Sequence, residues 1–261
     1  MKGFLIRVGI DGTSGGWNAP CNNATRHFCY VPMGKDELVE EYDPCYRRCY
    51  ERAVRQFVPE DAQQLAHWPH RLPRQGHFDP DFLNLTYGED NERQNASRIY
   101  EAFNEGSDNF IVFYASLRPI YGRDEHNDNL NYSIIGFYRV KCALWAENVL
   151  PADRYRNAHT RNGEANAPHT TVIVFAYPNG SGRLLQHIRI GNWRNRAYRV
   201  FPNLLNAWGG QRLHNDGIRL GIDIKDGFLT RNPGPPEFLN PEGFRQWFQD
   251  QNPTLITQDN E

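Results

Sequence analysis

The middle of the chain carries four strand-like runs that follow one another with only turns and loops between them. The first, FIVFYA at 110–115, is continuously apolar, as expected of a strand buried on both faces. The others lie at 132–141, 170–176 and 183–190, the last after the turn-forming sequence PNGSG. Because no regular helices separate these runs, a mixed or antiparallel sheet is favoured over a doubly wound parallel one.

A few helices are expected around this sheet. The sequence NERQNASRIYEAFN at 91–104 places Ile99, Tyr100 and Phe103 at helical spacing, which predicts an amphipathic helix. Further elements are predicted as strands at 5–10 and 27–32, helices at 46–54 and 241–251, and an irregular, proline-rich region at 59–88. The predicted fold class is therefore α+β, a single domain over residues 1–261 with a central mixed or antiparallel sheet or a partly open barrel.

Composition limits which classes of protein this chain can belong to. With 39% hydrophobic and 13% aromatic residues, the 261-residue chain can bury a sizeable core. Its formal net charge of -2 does not by itself indicate a nucleic-acid binder. No apolar run reaches the length of a membrane span, and the N-terminus does not read as a signal peptide. We expect a cytoplasmic protein without a membrane partner.

The first predicted strand runs directly into the sequence DGTSGG at 11–16. Gly15 and Gly16 can let backbone N–H groups form an anion-binding nest. Asp11, at the strand end, could hold a sugar hydroxyl, a base edge or a metal ion. The alternative is a glycine-rich turn in which Asp11 caps its own backbone.

A second candidate site is the sequence HFDPDF at 77–82. His77 with Asp79 and Asp81, on either side of a proline, could bind a metal ion or share acid–base catalysis. Asp79 and Asp81 are the predicted metal ligands. The alternative is a turn whose aspartates cap the following helix.

Arginine and aromatic residues alternate in IRIGNWRNRAYRV at 188–200, which favours contact with phosphates and bases. Here Arg194 and Arg196 are candidate phosphate ligands and Trp193 is a candidate base-stacking residue; the alternative is a solvated or ion-paired strand face. A strand ending at 113–118 delivers a further set of polar candidates to a loop. These are Tyr114, Ser116 and Arg118.

Histidines and cysteines provide other potential ligands. His159 and His169 flank a loop and could act as metal ligands or a general base, although such histidines are more often surface residues. Five cysteines without a secretion signal indicate reduced thiols rather than disulfides. A four-thiolate zinc site is the alternative to buried apolar thiols. Its ligands would be Cys21, Cys29, Cys45 and Cys49.

These segments, in this order, resemble the nucleotide-modification-associated domain family, third type, whose genes lie near DNA-modification and phage-conflict genes. The residues that match are Arg7, Gly9, Asp11, Gly15, Gly16, Pro20, Val31, Pro32, Lys35, Asp36, His77, Asp79, Pro80, Asp81, Phe113 to Arg118, Ile135 to Phe137, His159, His169 and Ser181 to Arg183. The chain departs from the family pattern where GTS replaces the serine directly after Asp11, and where the His-Pro-His doublet near His159 is missing.

The resemblance implies action on, or recognition of, nucleotides or modified DNA. In an enzyme, a divalent metal could assist a transferase or hydrolase reaction at an acidic site formed by Asp11, His77, Asp79 and Asp81. The residues that would contact the nucleotide phosphate are Arg7, Gly15, Gly16, Ser116, Arg118, Arg194 and Arg196. Two alternatives remain: a module that binds a modified base without turnover, and a structural subunit that docks partner proteins of a modification system.

Overall fold

The computed structural model describes residues 1–9, 11, 18–35, 75–121, 130–161, 168–229 and 234–257. Its main sheet is built from β1 (Gly3–Arg7), β2 (Pro20–Asn22), β5 (Thr86–Asp90), β6 (Phe110–Tyr121), β7 (Asn131–Trp145), β8 (Thr171–Ala176), β9 (Gly182–Arg194), β10 (Ala197–Val200) and β13 (Leu255–Ile256). Two small ribbons accompany it, one of β3 (Met33–Lys35) with β4 (Gln75–His77) and one of β11 (Gln211–His214) with β12 (Gly217–Leu220).

The sheet has a mixed topology. Its main path runs β1–β6–β7–β8–β5, and β9 pairs with β7, β10 and β13. Strands β1 and β2 lie parallel to β6, whereas the other pairings in this sheet are antiparallel. The described strands do not close into a barrel. The predicted α+β class with a mixed sheet is therefore confirmed.

Four described α-helices flank the sheet: α1 (Asn95–Asn104), α2 (Ala158–Arg161), α3 (Pro202–Trp208) and α4 (Pro241–Asp250). The start of α4 is defined by the Asn240 side chain, which accepts a hydrogen bond from the backbone N–H of Gly243 at 3.0 Å. None of the helices in the described ranges is long and apolar enough to cross a membrane.

The core lies where helices pack on the long strands β6 and β7. Phe110 and Phe137 stack on each other, with ring centroids 5.4 Å apart. Phe244 of α4 stacks on Phe110, and Phe248 stacks on Phe137. This aromatic layer explains why the continuously apolar run at 110–115 becomes a central strand.

The N-terminal third departs from its predicted elements. The first strand is β1 rather than 5–10, and the predicted strand at 27–32 contributes only an isolated bridge at Phe28. Strand β2 pairs with the far end of β6 instead. The predicted helix at 46–54 lies outside the described residues.

The region predicted as irregular, 59–88, contains β4 and the start of β5. Strand β5 has the sequence TYGED, whose last three residues are poor strand formers. It becomes a strand because all five of its residues pair with β8. This long-range pairing overrides the local preference, and it positions the site described next.

Candidate functional site

Two histidines and one aspartate meet at the outer edge of β5, the last strand on the main path of the sheet. The Nε2 atoms of His77 and His159 lie 2.9 Å apart. The Oδ2 atom of Asp79 lies 3.2 Å from Nε2 of His159 and 4.0 Å from Nε2 of His77. We call these three residues the His–Asp–His cluster. It brings together residues more than 80 positions apart in the chain.

The backbone of β5 orients Asp79. Its Oδ1 atom accepts a hydrogen bond from the backbone N–H of Gly88 at 2.7 Å and a longer one from Nδ2 of Asn157 at 3.5 Å. The Asn157 side chain also accepts from the backbone N–H of His159, at 2.9 Å. These contacts hold one carboxylate oxygen on the protein and leave Oδ2 facing the two imidazoles.

A glycine allows the imidazole of His159 to lie against the strand. A Cβ atom at Gly88 would lie 2.3 Å from Cδ2 of His159, far inside van der Waals contact. Any larger residue at this position would therefore displace the ring. Gly88 provides the close approach that the cluster needs.

A second carboxylate, Asp90, contacts the other ring nitrogen of His159. Nδ1 of His159 lies 3.3 Å from Oδ1 of Asp90, which also accepts a hydrogen bond from the Thr171 hydroxyl at 2.8 Å. The hydrogen bond with His159 lowers the pKa of Asp90 to about 2. Burial alone would lower the pKa of His159, but hydrogen bonds with Asp79 and Asp90 raise it to about 10. The two carboxylates therefore favour the charged imidazolium form of His159.

The donor atoms of the cluster lie close enough together to hold one metal ion. Metal–ligand bonds of about 2.1 Å at angles between octahedral and tetrahedral place donor atoms about 3.0–3.4 Å apart. The separations of 2.9, 3.2 and 4.0 Å bracket this range. The contact of Asp90 with the far side of His159 is the carboxylate–histidine arrangement common around metal sites. Within the described ranges this is the group of side chains suited to holding a metal ion.

Asp79 and Asp81 are the metal ligands predicted from the sequence, but their side chains have different partners in the structure. Oδ1 of Asp81 accepts hydrogen bonds from the backbone N–H groups of Leu83 and Asn84, at 3.1 and 2.9 Å. Its Oδ2 accepts from the Asn84 side chain and lies 3.3 Å from Arg161. Asp81 therefore stabilises a turn, and His159 stands beside Asp79 in its place.

Asp11 lines a separate cavity of about 220 Å³, which we call the Asp11 cavity. Its carboxylate pairs with Arg7 at 2.9 Å. Tyr87 and Glu89 of β5 line the same cavity, whereas the alternate residues of that strand contact His159. Strand β5 is thus a wall shared by the cavity and the cluster. Burial raises the pKa of Glu89 to about 7, and the charge of Asp79 adds to the rise.

Three candidates expected at a strand end lie within β6, because this strand continues to Tyr121 and does not deliver them to a loop. The Ser116 hydroxyl is buried and accepts hydrogen bonds from Asn18 at 2.8 Å and from Arg7 at 3.4 Å. The Tyr114 side chain also lines the Asp11 cavity, and its hydroxyl donates to the backbone oxygen of Leu229 at 3.0 Å. Arg118 is half-buried and pairs with β2 through its backbone.

The arginine-rich segment forms the hairpin of β9 and β10. The Arg194 side chain donates to the backbone oxygen of Val200 at 3.3 Å, and Arg196 occupies the turn with a φ of 62°. Trp193 is 46% exposed and lies against Tyr198. Gly15 and Gly16, the proposed phosphate nest, lie outside the described residues.

The remaining candidate metal ligands are not in the cluster. His169 is exposed, with Nδ1 3.7 Å from Glu147. Cys21 and Cys29 are buried, and burial raises the pKa of the Cys21 thiol to about 12, which disfavours the thiolate that zinc binds. Cys45 and Cys49 lie outside the described residues.

Sequence reasoning missed three residues of the site. These are Gly88, Asp90 and Asn157. Glycine, aspartate and asparagine are common in turns, so their presence in the sequence carries little information about a site. The sequence signal that could have indicated them is a run of polar residues at the end of a strand. That signal led to the candidates at 113–118, whereas the segment 86–90 was not predicted to be a strand.

Comparison with protein families agrees with the sequence resemblance. The family model described as nucleotide modification associated domain 3 matches residues 2–215 of the 261-residue chain. No curated protein and no solved structure gave a significant match. The family match covers well over half of the chain and includes every residue of the His–Asp–His cluster. The chain therefore belongs to the nucleotide modification associated domain 3 family.

Proposed function

We propose that this protein is a metal-dependent enzyme that acts on a nucleotide or on a base of DNA, with His77, Asp79 and His159 as the metal ligands. The observation that carries the proposal is the convergence of two Nε2 atoms and one carboxylate oxygen on one point. Two imidazoles and a carboxylate form a recurrent ligand set for first-row transition metals.

The charges around the cluster also favour a divalent cation. Asp79 and Asp90 both contact His159, and the imidazolium form of His159 carries one positive charge against their two negative charges. A divalent ion bound to neutral imidazoles would balance the two carboxylates. Asp90 would then keep His159 in the tautomer whose Nε2 faces the metal.

When bound at this site, a divalent transition metal ion polarises a substrate oxygen or lowers the pKa of a coordinated water. The protein supplies the geometry. Asp79 is fixed by the N–H of Gly88 and by Asn157, while Gly88 leaves space for the His159 ring. Three protein ligands leave further coordination positions for water or substrate.

A base-reading module is the second candidate. Its support is the exposed Trp193 at the β9–β10 hairpin, with Arg196 in the adjoining turn. Tyr114 is buried and its hydroxyl donates to the backbone oxygen of Leu229, so it is much less accessible to a base than Trp193. The enzyme proposal therefore has the broader structural support.

The test compares Asp79→Asn with Asp81→Asn in metal-stripped protein. Titration with Co²⁺, followed by its visible absorption and by calorimetry, measures binding at the cluster. We expect one ion per chain in the wild type and in the Asp81 variant. We expect an affinity at least about hundredfold lower in the Asp79 variant, because a direct ligand should matter more than an outer-shell partner.

The same three proteins are then incubated with deoxynucleotides and with DNA, with and without metal, and the products are analysed by mass spectrometry. A mass change that needs both the metal and Asp79 supports the enzyme. Equal metal affinity in the two variants would contradict the metal site. Metal binding without any product, together with DNA binding that is lost in Trp193→Ala, would favour the base reader.

A further inference from the structure

A basic hollow of about 660 Å³ lies beyond the C-terminal end of β5. Its cationic lining residues come from the segment 93–98, which joins a 3₁₀ turn to the start of α1, from β10, from β12 and from the 3₁₀ turn Lys225–Gly227. They are Arg93, Arg98, Arg199, Arg219 and Lys225. Two carboxylates, Asp223 and Asp226, line it as well. We call it the arginine hollow. A third carboxylate, Asp216, lies 3.7 Å from Arg219 and 3.6 Å from Lys225. Five cationic side chains with three carboxylates leave an excess of positive charge.

The carboxylates do not neutralise all of these cations. Arg219 pairs with Asp223 at 2.7 Å, and Arg199 lies 3.6 Å from Asp226. For Arg93 and Arg98, no carboxylate in the described part of the chain lies within ion-pair distance. Like charges gathered from distant chain segments repel one another, so the hollow favours an anionic ligand.

Aromatic rings hold two of the arginines in place. The Arg98 guanidinium lies over the ring of Phe4 at 5.9 Å, and that of Arg199 lies over Phe228 at 5.5 Å. Arg199 also donates to the backbone oxygen of Asp226 at 3.3 Å. The Nε atoms of Arg199 and Arg219 are buried without a hydrogen-bond partner among the described residues. Such prepositioned donors lose little freedom when an anion binds.

We propose that the arginine hollow binds a phosphate group, carried by a free nucleotide or by a nucleic-acid strand. Guanidinium groups match the oxygens of phosphate with paired hydrogen bonds. The site is distinct from the phosphate ligands predicted at the glycine loop and in β6. It goes beyond the proposed metal chemistry and does not depend on the His–Asp–His cluster.

The location of the hollow fits a nucleotide ligand. Asn95 and the segment 234–236 line both the hollow and the Asp11 cavity. Asn95 also donates to Glu89 at 3.4 Å. A nucleotide with its phosphate in the hollow would therefore have polar groups of the neighbouring cavity beside its nucleoside. Arg219 and Lys225 lie after residue 215, so residues beyond the family match complete this site.

The test uses metal-stripped full-length protein and four probes: inorganic phosphate, a deoxynucleoside monophosphate, the matching deoxynucleoside, and a short single-stranded DNA. Binding is measured by calorimetry at two salt concentrations. We expect the three phosphate-bearing probes to bind and the deoxynucleoside to bind much more weakly. A strand that binds more tightly than the monophosphate, with a steeper salt dependence, identifies the backbone as the source of the phosphate.

Arg98→Gln removes one guanidinium, and we expect it to weaken phosphate binding by roughly tenfold. Asp226→Asn removes a competing carboxylate and should strengthen binding by a few-fold. The matched control is Arg139→Gln, because Arg139 also lies over an aromatic ring, that of Tyr177, but does not line the hollow. Thermal unfolding checks that each variant is folded.

Two results would overturn the proposal. One is wild-type affinity for phosphate in Arg98→Gln with no gain in Asp226→Asn. The other is equal binding of the deoxynucleoside and its monophosphate. Because the protein carries no metal in this test, neither result affects the proposed metal site, and loss of metal binding in Asp79→Asn does not affect this one.

Discussion

His159 at the edge of β5 and His187 on β9 are both largely buried imidazoles, and their surroundings shift their pKa values in opposite directions. Asp79 and Asp90 contact His159 and, against the effect of burial, raise its pKa to about 10. Burial lowers the pKa of His187 to about 4, and the charges of Arg26 and Arg189 add to the effect. Neither ring nitrogen of His187 has a hydrogen-bond partner among the described residues.

The difference shows that burial alone does not identify a functional histidine. His187 packs edge-on against Phe28 and behaves as a neutral core residue. His159 lies among two carboxylates and another imidazole, so it can exchange a proton for a metal ion. The neighbours that distinguish the two sites come from distant strands and loops. Three substitutions test this contrast.

The largest effect is expected from Gly88→Ala. The added methyl group would overlap the His159 ring, so the ring must move and one metal ligand is lost. We expect metal affinity to fall by about hundredfold or more. Gly3→Ala is the matched control, because its Cβ would crowd the Phe110 ring at 2.2 Å and not a residue of the His–Asp–His cluster. Equal metal affinity in both variants, measured with Co²⁺, would show that His159 does not bind the ion.

A smaller loss is expected from Asp90→Asn. This change removes the charge beside Nδ1 of His159 but leaves all three proposed ligands in place. Loss of an outer-shell partner typically costs 10–100-fold in metal affinity, so we expect about that range. Asp108→Asn serves as the control, since Asp108 is similarly exposed and pairs with Arg139 instead. An unchanged affinity in Asp90→Asn would remove Asp90 from the site.

The last prediction concerns His187 and the stability of the protein in acid. Its folded-state pKa lies below the value near 6.5 expected in the unfolded chain, so the unfolded state binds the proton more readily. Stability is therefore highest above pH 6.5 and falls as the pH drops towards 4. By pH 5 the loss attributable to His187 is about 2 kcal/mol.

His187→Leu removes this titration and fills a similar volume. We expect the free energy of unfolding, measured by urea denaturation, to fall less between pH 7 and pH 5 in the variant than in the wild type. Other groups titrate in both proteins, so the difference between them isolates His187. Parallel pH profiles would show that folding does not lower the pKa of His187.

The contrast between Asp79 and Asp81 shows how far the sequence could define the site. Both flank Pro80 and share the same chemistry, but Asp81 accepts hydrogen bonds within its own turn, whereas Asp79 lies in the cluster that we propose as the metal site. The sequence identified the segment but not which aspartate faces the histidines and which one accepts hydrogen bonds from the turn. This difference between the two aspartates depends on the Gly88 N–H, which faces Asp79 because β5 pairs with β8.

Local pattern determined the α+β class, the strands β6 to β9 and the helices α1 and α4, because burial on a sheet or helix face imposes a pattern that the sequence shows directly. The order of the motifs along the chain indicated the family. Tertiary structure decided which polar residues meet. His159 reaches His77 across 82 positions, and the arginine hollow collects cations from four segments. Such meetings follow from strand pairing and packing between distant segments, for which a single sequence carries no periodic signal.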